Sequence, residues 1–256
     1  MTVDAPLWLR WMLACALCIA AFSARAAEVT VAVASNFSAP MKVIAHGFER
    51  DTGHRIALAF GATGQFYAQI RSGAPFGVLL AADHETPSKL ALEGLGSKES
   101  QFTYAQGRLV LWSKTPGLIQ PNAEILRSGR FNKIAIANPK LAPYGAAAIE
   151  VIDKLQLNAQ VLEKIVQGAN ITQTFQFVAS GNADIGFVAL SQVVENGRVK
   201  EGSGWVVPAT MHRPIRQDAL LLNPGIKNPA AQELLSYLRS ERAKSVMRSF
   251  GYEHQD

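Results

Sequence analysis

The side chains best placed for chemistry in this chain are hydroxyls and amides, set among small residues at four turns. These are Ser35 and Asn36; Gly61, Ala62, Thr63 and Gly64; Pro143, Tyr144 and Gly145; and Ala169, Asn170, Ile171 and Thr172. Each turn follows a short apolar run and precedes a segment of helical character, so each reads as a strand-to-helix junction. There the first N–H groups of the helix have no partner within it, and the positive end of its dipole points the same way. The chemistry on offer is anion binding. One such turn is an ordinary helix cap; four of them, two in each half of the chain, make a pattern.

None of the four turns carries Lys, Arg, Asp or Glu. A carboxylate would accept a hydrogen bond from a protonated anion such as hydrogen phosphate, whereas hydroxyls and backbone amides favour a fully deprotonated oxyanion. A hydrogen bond to a charged group contributes roughly 1.5–3 kcal/mol, so about six or seven donors offset much of a dianion's dehydration without a counter-charge. This chemistry admits molybdate, tungstate, chromate and sulfate alike.

Other chemistries find little support. His46, His54, His84, His212 and His254 lie far apart, and His84-Glu85 lacks the second His of a zinc-protease helix. There is no Gly-x-Ser-x-Gly elbow, and Gly61-x-x-Gly64 fits neither a phosphate loop nor a dinucleotide fingerprint. Asp83, Asp153 and Asp184 read as caps or surface residues. Phe37, Phe66, Tyr67, Phe175 and Phe177 read as core, with Phe66 or Tyr67 in reach of a cleft. An exported α/β enzyme would need a nucleophile with a base beside it, and the sequence shows none.

The elements that must position the turns follow from hydrophobic periodicity. Strands are predicted at 29–34, 56–60, 78–81, 109–112, 134–137, 185–188 and 215–222. Helices are predicted from the cap at Asn36 or Ser38 to Gly53, and at 65–71, 86–93, 143–155, 172–179, 191–195, 229–238 and 241–250. Alternation of strand and helix calls for parallel pairing under helices. Two such halves without a low-complexity linker predict a two-lobed protein hinged on crossing strands.

The chain has 256 residues, 48% hydrophobic and 18% charged, with a net charge of +5. Residues 7–22 are apolar apart from Arg10 and the two cysteines, and Ala24-Arg25-Ala26 is a small-x-small site, which predicts a secretory signal peptide over 1–26. The apolar run falls short of the roughly 20 residues of a membrane span. Cys15 and Cys18, the only cysteines, lie in that segment, so thiolate sites and disulfides are excluded from the remainder. Removing Arg10, Arg25 and Asp4 leaves a charge near +4. Lys and Arg are scattered without aromatic interleaving, which argues against a nucleic-acid partner.

Several stretches together resemble a known family: 33–40 (VASNFSAP), 61–70 (GATGQFYAQI), 73–76 (GAPF), 81–83 (AAD), 137–139 (ANP), 142–146 (APYGA), 181–187 (GNADIGF) and 189–192 (ALSQ). In this order they are similar to the periplasmic molybdate-binding proteins of the ModA type, within the type II periplasmic binding protein fold, over about 27–252. The resemblance implies an α/β chain of two Rossmann-like lobes, each a mixed β-sheet flanked by helices, joined by crossover strands. Lobe one would comprise 27–106 with 216–256, and lobe two 107–215. It implies oxyanion contacts from Ser35, Asn36, Thr63, Tyr144 and Ile171, with Tyr144 offering its backbone N–H and its phenol. Molybdenum would be held as its oxyanion, without a direct metal ligand or a cofactor. The expected partners are molybdate or tungstate and an inner-membrane ABC permease, and the expected state is a periplasmic monomer. One branch of the family adds a tyrosine at the position of Ala189; this chain is similar instead to the branch with asparagine in the first turn and tyrosine in the Pro-x-Gly loop. Thr63 stands where serine is commonest.

Overall fold

Valines at 29, 31 and 33 bury one face of the first strand and Ala32 and Ala34 the other, and the architecture grows from that. The computed structural model describes residues 26–195 and 198–253; the expected export segment, with Arg10, Cys15 and Cys18, lies outside the described residues except for Ala26. The first half runs β1 (Glu28–Ala34), a 3-10 turn (Ser35–Phe37), α1 (Ser38–Thr52), β2 (Arg55–Gly61), α2 (Thr63–Arg71), β3 (Val78–Leu80), α3 (Glu85–Leu92) and β4 (Phe102–Gly107). The second runs β5 (Leu109–Ser113), α4 (Glu124–Ser128), β6 (Ile134–Ala137), α5 (Pro143–Lys154), α6 (Asn158–Val161), β7 (Ile165–Gly168), α7 (Ile171–Ala179), β8 (Ile185–Ala189), α8 (Leu190–Val193), β9 (Val194–Glu195), β10 (Arg198–Val199) and β11 (Ser203–Val206). The chain then returns through β12 (Ile215–Leu221) to α9 (Pro229–Leu238) and α10 (Glu241–Ser249).

Two five-stranded sheets result, in the orders β2-β1-β3-β12-β4 and β11-β5-β8-β6-β7. Both are mixed. In the first, β1 pairs parallel with β2 and β3, and β12 antiparallel with β3 and β4. In the second, β6 pairs parallel with β7 and β8, and β5 antiparallel with β8 and β11. Chain passes between the sheets twice, through Arg108 and through residues 207–214.

Period-two alternation assigns each strand's faces. Val29, Val31 and Val33 pack with Met41, Ile44 and Phe48 of α1 and with Leu234 and Met247 of the last two helices. Ala32, on the other face, packs with Phe66 and Ile70 of α2 and Leu90 of α3. Burying a side chain such as Val or Phe contributes ~1.5–3 kcal/mol, so the strand ends beneath the turns are held by dense apolar contact. In the second sheet Ile134 and Ile136 face α5, while Ala135 faces Val178 of α7.

Two expectations change. The helix expected at 191–195 is the short α8, and Val194 starts a strand that pairs with Val199; the β-branched Val193-Val194 pair favours extended backbone. Strands β4, β7, β10 and β11 and the short helices α4 and α6 were not expected. β4 carries an irregularity: Gln217 pairs with Ala105 and Asp218 with Thr103, which leaves Tyr104 as the extra residue of a bulge.

Candidate functional site

All five expected site residues line one small cavity between the sheets, with Ala34, Gly61, Ala62, Ala82, Ala142 and Pro143. All five are buried, at 1–4% exposure. No carboxylate, ammonium, guanidinium or imidazole is in that lining. Ser35 and Asn36 open the 3-10 turn after β1, Thr63 opens α2 after β2, Tyr144 is the second residue of α5, and Ile171 opens α7. Each therefore sits where a helical N–H lacks an intrahelical acceptor.

The local sequence makes these ends. Pro143 begins α5 with φ preset and no N–H to satisfy. Asn170 caps α7, its side chain accepting from the Gln173 N–H at 3.0 Å. Gln65 reaches back to accept from the Ala62 N–H at 3.0 Å. Gly145 brings α5 against the end of β6: a Cβ there would lie 2.1 Å from the Ala137 carbonyl oxygen.

The side chains divide by what they can still donate. Ser35 Oγ has no hydrogen-bond partner among the described residues, although the residue is 4% exposed and lines the cavity. Thr63 Oγ1 accepts from the Ala82 N–H at 3.0 Å, which fixes the hydroxyl and leaves its proton for a ligand. The Asn36 side chain is already engaged. Its side-chain amide donates to Gln217 Oε1 and to the Tyr252 hydroxyl, both at 2.9 Å, so what it offers the cavity is backbone N–H. The Tyr144 phenol also turns away, accepting from Gln217 Nε2 at 3.2 Å. Burial pushes the Tyr104 and Tyr144 hydroxyls well above the usual tyrosine range and Tyr252 to about 12, so this network is neutral.

Direct bonds cross the cleft. Gly64 N–H donates to the Leu141 carbonyl at 2.9 Å, the Thr172 hydroxyl to the Ser35 carbonyl at 3.3 Å, and the Ser191 hydroxyl to the Asn36 carbonyl at 2.8 Å. Ala189 is fully buried but does not line the cavity.

Neither Phe66 nor Tyr67 lines the cavity: Phe66 packs edge-on against Phe76, and the Tyr67 hydroxyl donates to Glu93 at 2.7 Å. Asp83 does cap α3, accepting from the Thr86 N–H at 2.8 Å and hydroxyl at 3.1 Å. Burial, with Glu85 and Asp218 nearby, raises its pKa to about 6. Asp153 and Asp184 likewise accept local bonds, from Asn158 and from the N–H groups of Asn132 and Lys133.

The fold does bring a serine beside a base, which the sequence did not reveal. Ser88 Oγ lies 3.5 Å from His84 Nε2, and His84 Nδ1 lies 2.6 Å from Asp218 Oδ2. Ser88 nonetheless donates to its own helix at the His84 carbonyl, 2.9 Å away, and neither residue lines the cavity. Sequence reading also missed Gln217, Tyr104, Tyr252 and Ser191. The one signal was the buried position implied for polar Gln217 and Asp218 between Ile215 and the apolar run 219–222, with Arg216 beside them.

Comparison with known proteins agrees with this geometry. The family model for bacterial extracellular solute-binding proteins matches residues 29–253. The chain is 54% identical to the molybdate-binding protein ModA of Azotobacter vinelandii over 91% of this chain and 92% of that one. It is 46% identical to the molybdate-binding protein ModA of Rhodobacter capsulatus, over 91% and 90%. The solved structure of an Azotobacter vinelandii periplasmic molybdate-binding protein superposes with a TM-score of 0.87 at 36% identity, covering 90% of this chain and 100% of that one. On this evidence the chain belongs to the bacterial extracellular solute-binding proteins and, among them, to the ModA family of molybdate-binding proteins.

Proposed function

We propose that this protein captures molybdate, and tungstate with it, in the cavity between its lobes and delivers it to an ABC permease of the inner membrane. The observation that carries the reading is the buried Ser35 hydroxyl, without a hydrogen-bond partner among the described residues, in a cavity lined by uncharged residues. A buried polar group without a partner is rare and costly unless a ligand completes it. Hydroxyls of Ser35 and Thr63, with N–H groups of Asn36, Thr63, Tyr144 and Ile171, form a donor shell suited to a dianion that brings no proton. Tungstate shares molybdate's charge and nearly its size, so the same shell accepts both.

The protein acts as a binding component and not as an enzyme: it works as a monomer in the periplasm, after cleavage near Ala26, with no cofactor. Residues 27–106 with 216–256 form one closing lobe and 107–215 the other. Ser35, Asn36 and Thr63 belong to the first and Tyr144 and Ile171 to the second, so an anion touching both stabilises the closed arrangement over the open one.

Titration calorimetry of the purified protein with molybdate, tungstate, sulfate and phosphate tests this. Tight binding of molybdate and tungstate with weak binding of phosphate is expected. Tight binding of sulfate without molybdate would overturn the ion assignment, and no binding of any oxyanion would overturn the function.

A further inference from the structure

We infer that Gln217 is a positioning residue for oxyanion capture, tying the anion-facing turn of one lobe to that of the other. This rests on the oxyanion-binding function proposed above. Gln217 is fully buried on β12, two residues beyond the start of the strand that returns from the second sheet. Its Oε1 accepts from Asn36 Nδ2 at 2.9 Å and from the Tyr104 hydroxyl at 3.0 Å. Its Nε2 donates to the Tyr144 hydroxyl at 3.2 Å. Asn36 belongs to the first turn of lobe one, and Tyr144 to the Pro-x-Gly turn of lobe two. One side chain thus holds two residues of the cavity lining, from opposite sides of the hinge.

The surroundings leave that amide little freedom. At Gly107, where β4 leaves for the second sheet, a Cβ would lie 2.1 Å from the Tyr144 hydroxyl oxygen and 2.6 Å from Gln217 Nε2. The crossover backbone is therefore pressed against both groups. The bulge at Tyr104 aims its hydroxyl at Gln217 Oε1 and at the Ala81 carbonyl, 3.1 Å away, just before Ala82 of the cavity lining. The second proton of Asn36 Nδ2 goes to Tyr252, whose hydroxyl in turn lies against the Asn36 carbonyl at 2.9 Å and Ser191 Oγ at 3.1 Å. Lobe rotation must change the Gln217–Tyr144 contact, because Gln217 is on β12 of the first sheet and Tyr144 on α5, which packs on the second.

An amide is required because the position must accept from two donors and donate to a third. It must also be neutral. The titratable groups facing Gln217 are Tyr104 from β4, Tyr144 from α5 and Tyr252 from the C-terminal segment, with the Asp218 carboxylate on the opposite face of β12 and Asp83 beyond Ala82. Replacing the amide by a carboxylate removes the donor to Tyr144 and sets a negative charge beside the bound dianion; protonating that carboxyl restores a donor and removes the charge.

The test is the molybdate affinity of Gln217→Glu and Gln217→Met between pH 5.5 and 8.5, with association and dissociation rates and the melting temperature of the ligand-free protein. At pH 8.5 Gln217→Glu should bind roughly 100-fold more weakly than wild type, and Gln217→Met roughly 10-fold more weakly through faster dissociation. Lowering the pH to 5.5 should recover about a factor of ten in Gln217→Glu beyond any change in wild type, and nothing in Gln217→Met. A loss in Gln217→Glu that is the same at both pH values, or wild-type affinity at pH 8.5, would overturn the inference. Should Gln217→Glu fail to fold, an unchanged dissociation rate in Gln217→Met overturns it alone. If wild type binds no oxyanion the proposed function fails with it; tight wild-type binding beside undisturbed variants removes only the role of Gln217.

Discussion

Gln217 and Asp218 are chain neighbours on one strand, yet they build opposite kinds of network on its two faces. On the Gln217 face an amide, three tyrosines, Asn36 and Ser191 exchange hydrogen bonds without a formal charge, and the anion cavity lies against them. On the Asp218 face a buried carboxylate accepts from His84 at 2.6 Å, Gln101 at 2.8 Å and Thr103 at 2.7 Å. The difference shows where charge is tolerated near an anion site without counter-ions. A carboxylate turned toward the cavity would repel a dianion across low-dielectric protein, where Coulomb energies are several times their value in water. Period-two alternation along β12 keeps it on the far side, where it ties α3 and β4 to the sheet.

If the two faces divide their labour in this way, they should fail differently. Asp218→Ala orphans three buried or half-buried donors and should cost roughly 3 kcal/mol of stability. Molybdate affinity in the folded fraction should stay within about twofold, since no cavity contact is lost. Urea unfolding and calorimetry on one preparation decide it; lost affinity with unchanged stability would erase the distinction. Ser35→Ala should do the converse. Its hydroxyl bonds no described residue, so ligand-free stability should hold within about 0.5 kcal/mol. Loss of one hydrogen bond to a charged ligand should weaken molybdate roughly 10- to 100-fold. Equal affinity in Ser35→Ala and wild type would remove the observation on which the proposed function stands.

The contrast also marks what could be read from the chain. The four turns were legible because cap chemistry is local: Ser-Asn, Ala-Thr-Gly, Pro-Tyr-Gly and Asn-Ile-Thr each follow an apolar run, and the fold gathers them in one cavity. Their supports were not. Gln217 meets Asn36 across 181 positions of sequence, and Tyr252 meets it across 216, separations that no periodicity reports. For the same reason the Tyr144 phenol, expected beside the ligand, turns instead into the buried network, where the Asn36 amide joins it. Strand β4 escaped notice because its bulge at Tyr104 breaks the alternation on which strand prediction depends. Strand β7 escaped because only Ile165 and Val166 are apolar before Gln167 and Gly168, whereas the equally short β6 is apolar throughout.

Asp83 sharpens the comparison from the cavity's edge. It follows Ala82 and is the acid next in sequence to the cavity lining. Its pKa stands near 6 against an ordinary 3.8, chiefly through burial. The folded protein therefore binds more protons at this site than the unfolded chain between these values, and the contribution to stability falls as pH rises from about 4 to 6. Asp83→Asn keeps an acceptor for the Thr86 N–H and has no charge to desolvate. It should gain about 1–2 kcal/mol over wild type between pH 4 and pH 7, once screening at a partly exposed site is allowed for. Parallel urea midpoints for the two proteins over that range would show no relative slope if the carboxyl titrated at its ordinary value.

The smallest effect should come from Thr63→Ser. The hydroxyl that faces the cavity is held by the Ala82 N–H at 3.0 Å, and that bond survives the loss of the methyl. What changes is side-chain freedom: threonine's branched Cβ restricts χ1, and serine gives some of that restriction back. Molybdate should bind within about threefold of wild type, with any loss appearing as faster dissociation, because an amide-pinned serine is nearly as well aligned as the threonine it replaces. The ratio of molybdate to sulfate affinity should not move, since ion choice rests on a shell of fixed backbone donors that the methyl does not touch. A large shift in that ratio, measured by competition calorimetry, would instead place the Thr63 methyl against the ion and make cavity size, rather than donor neutrality, the feature that separates this face of β12 from the other.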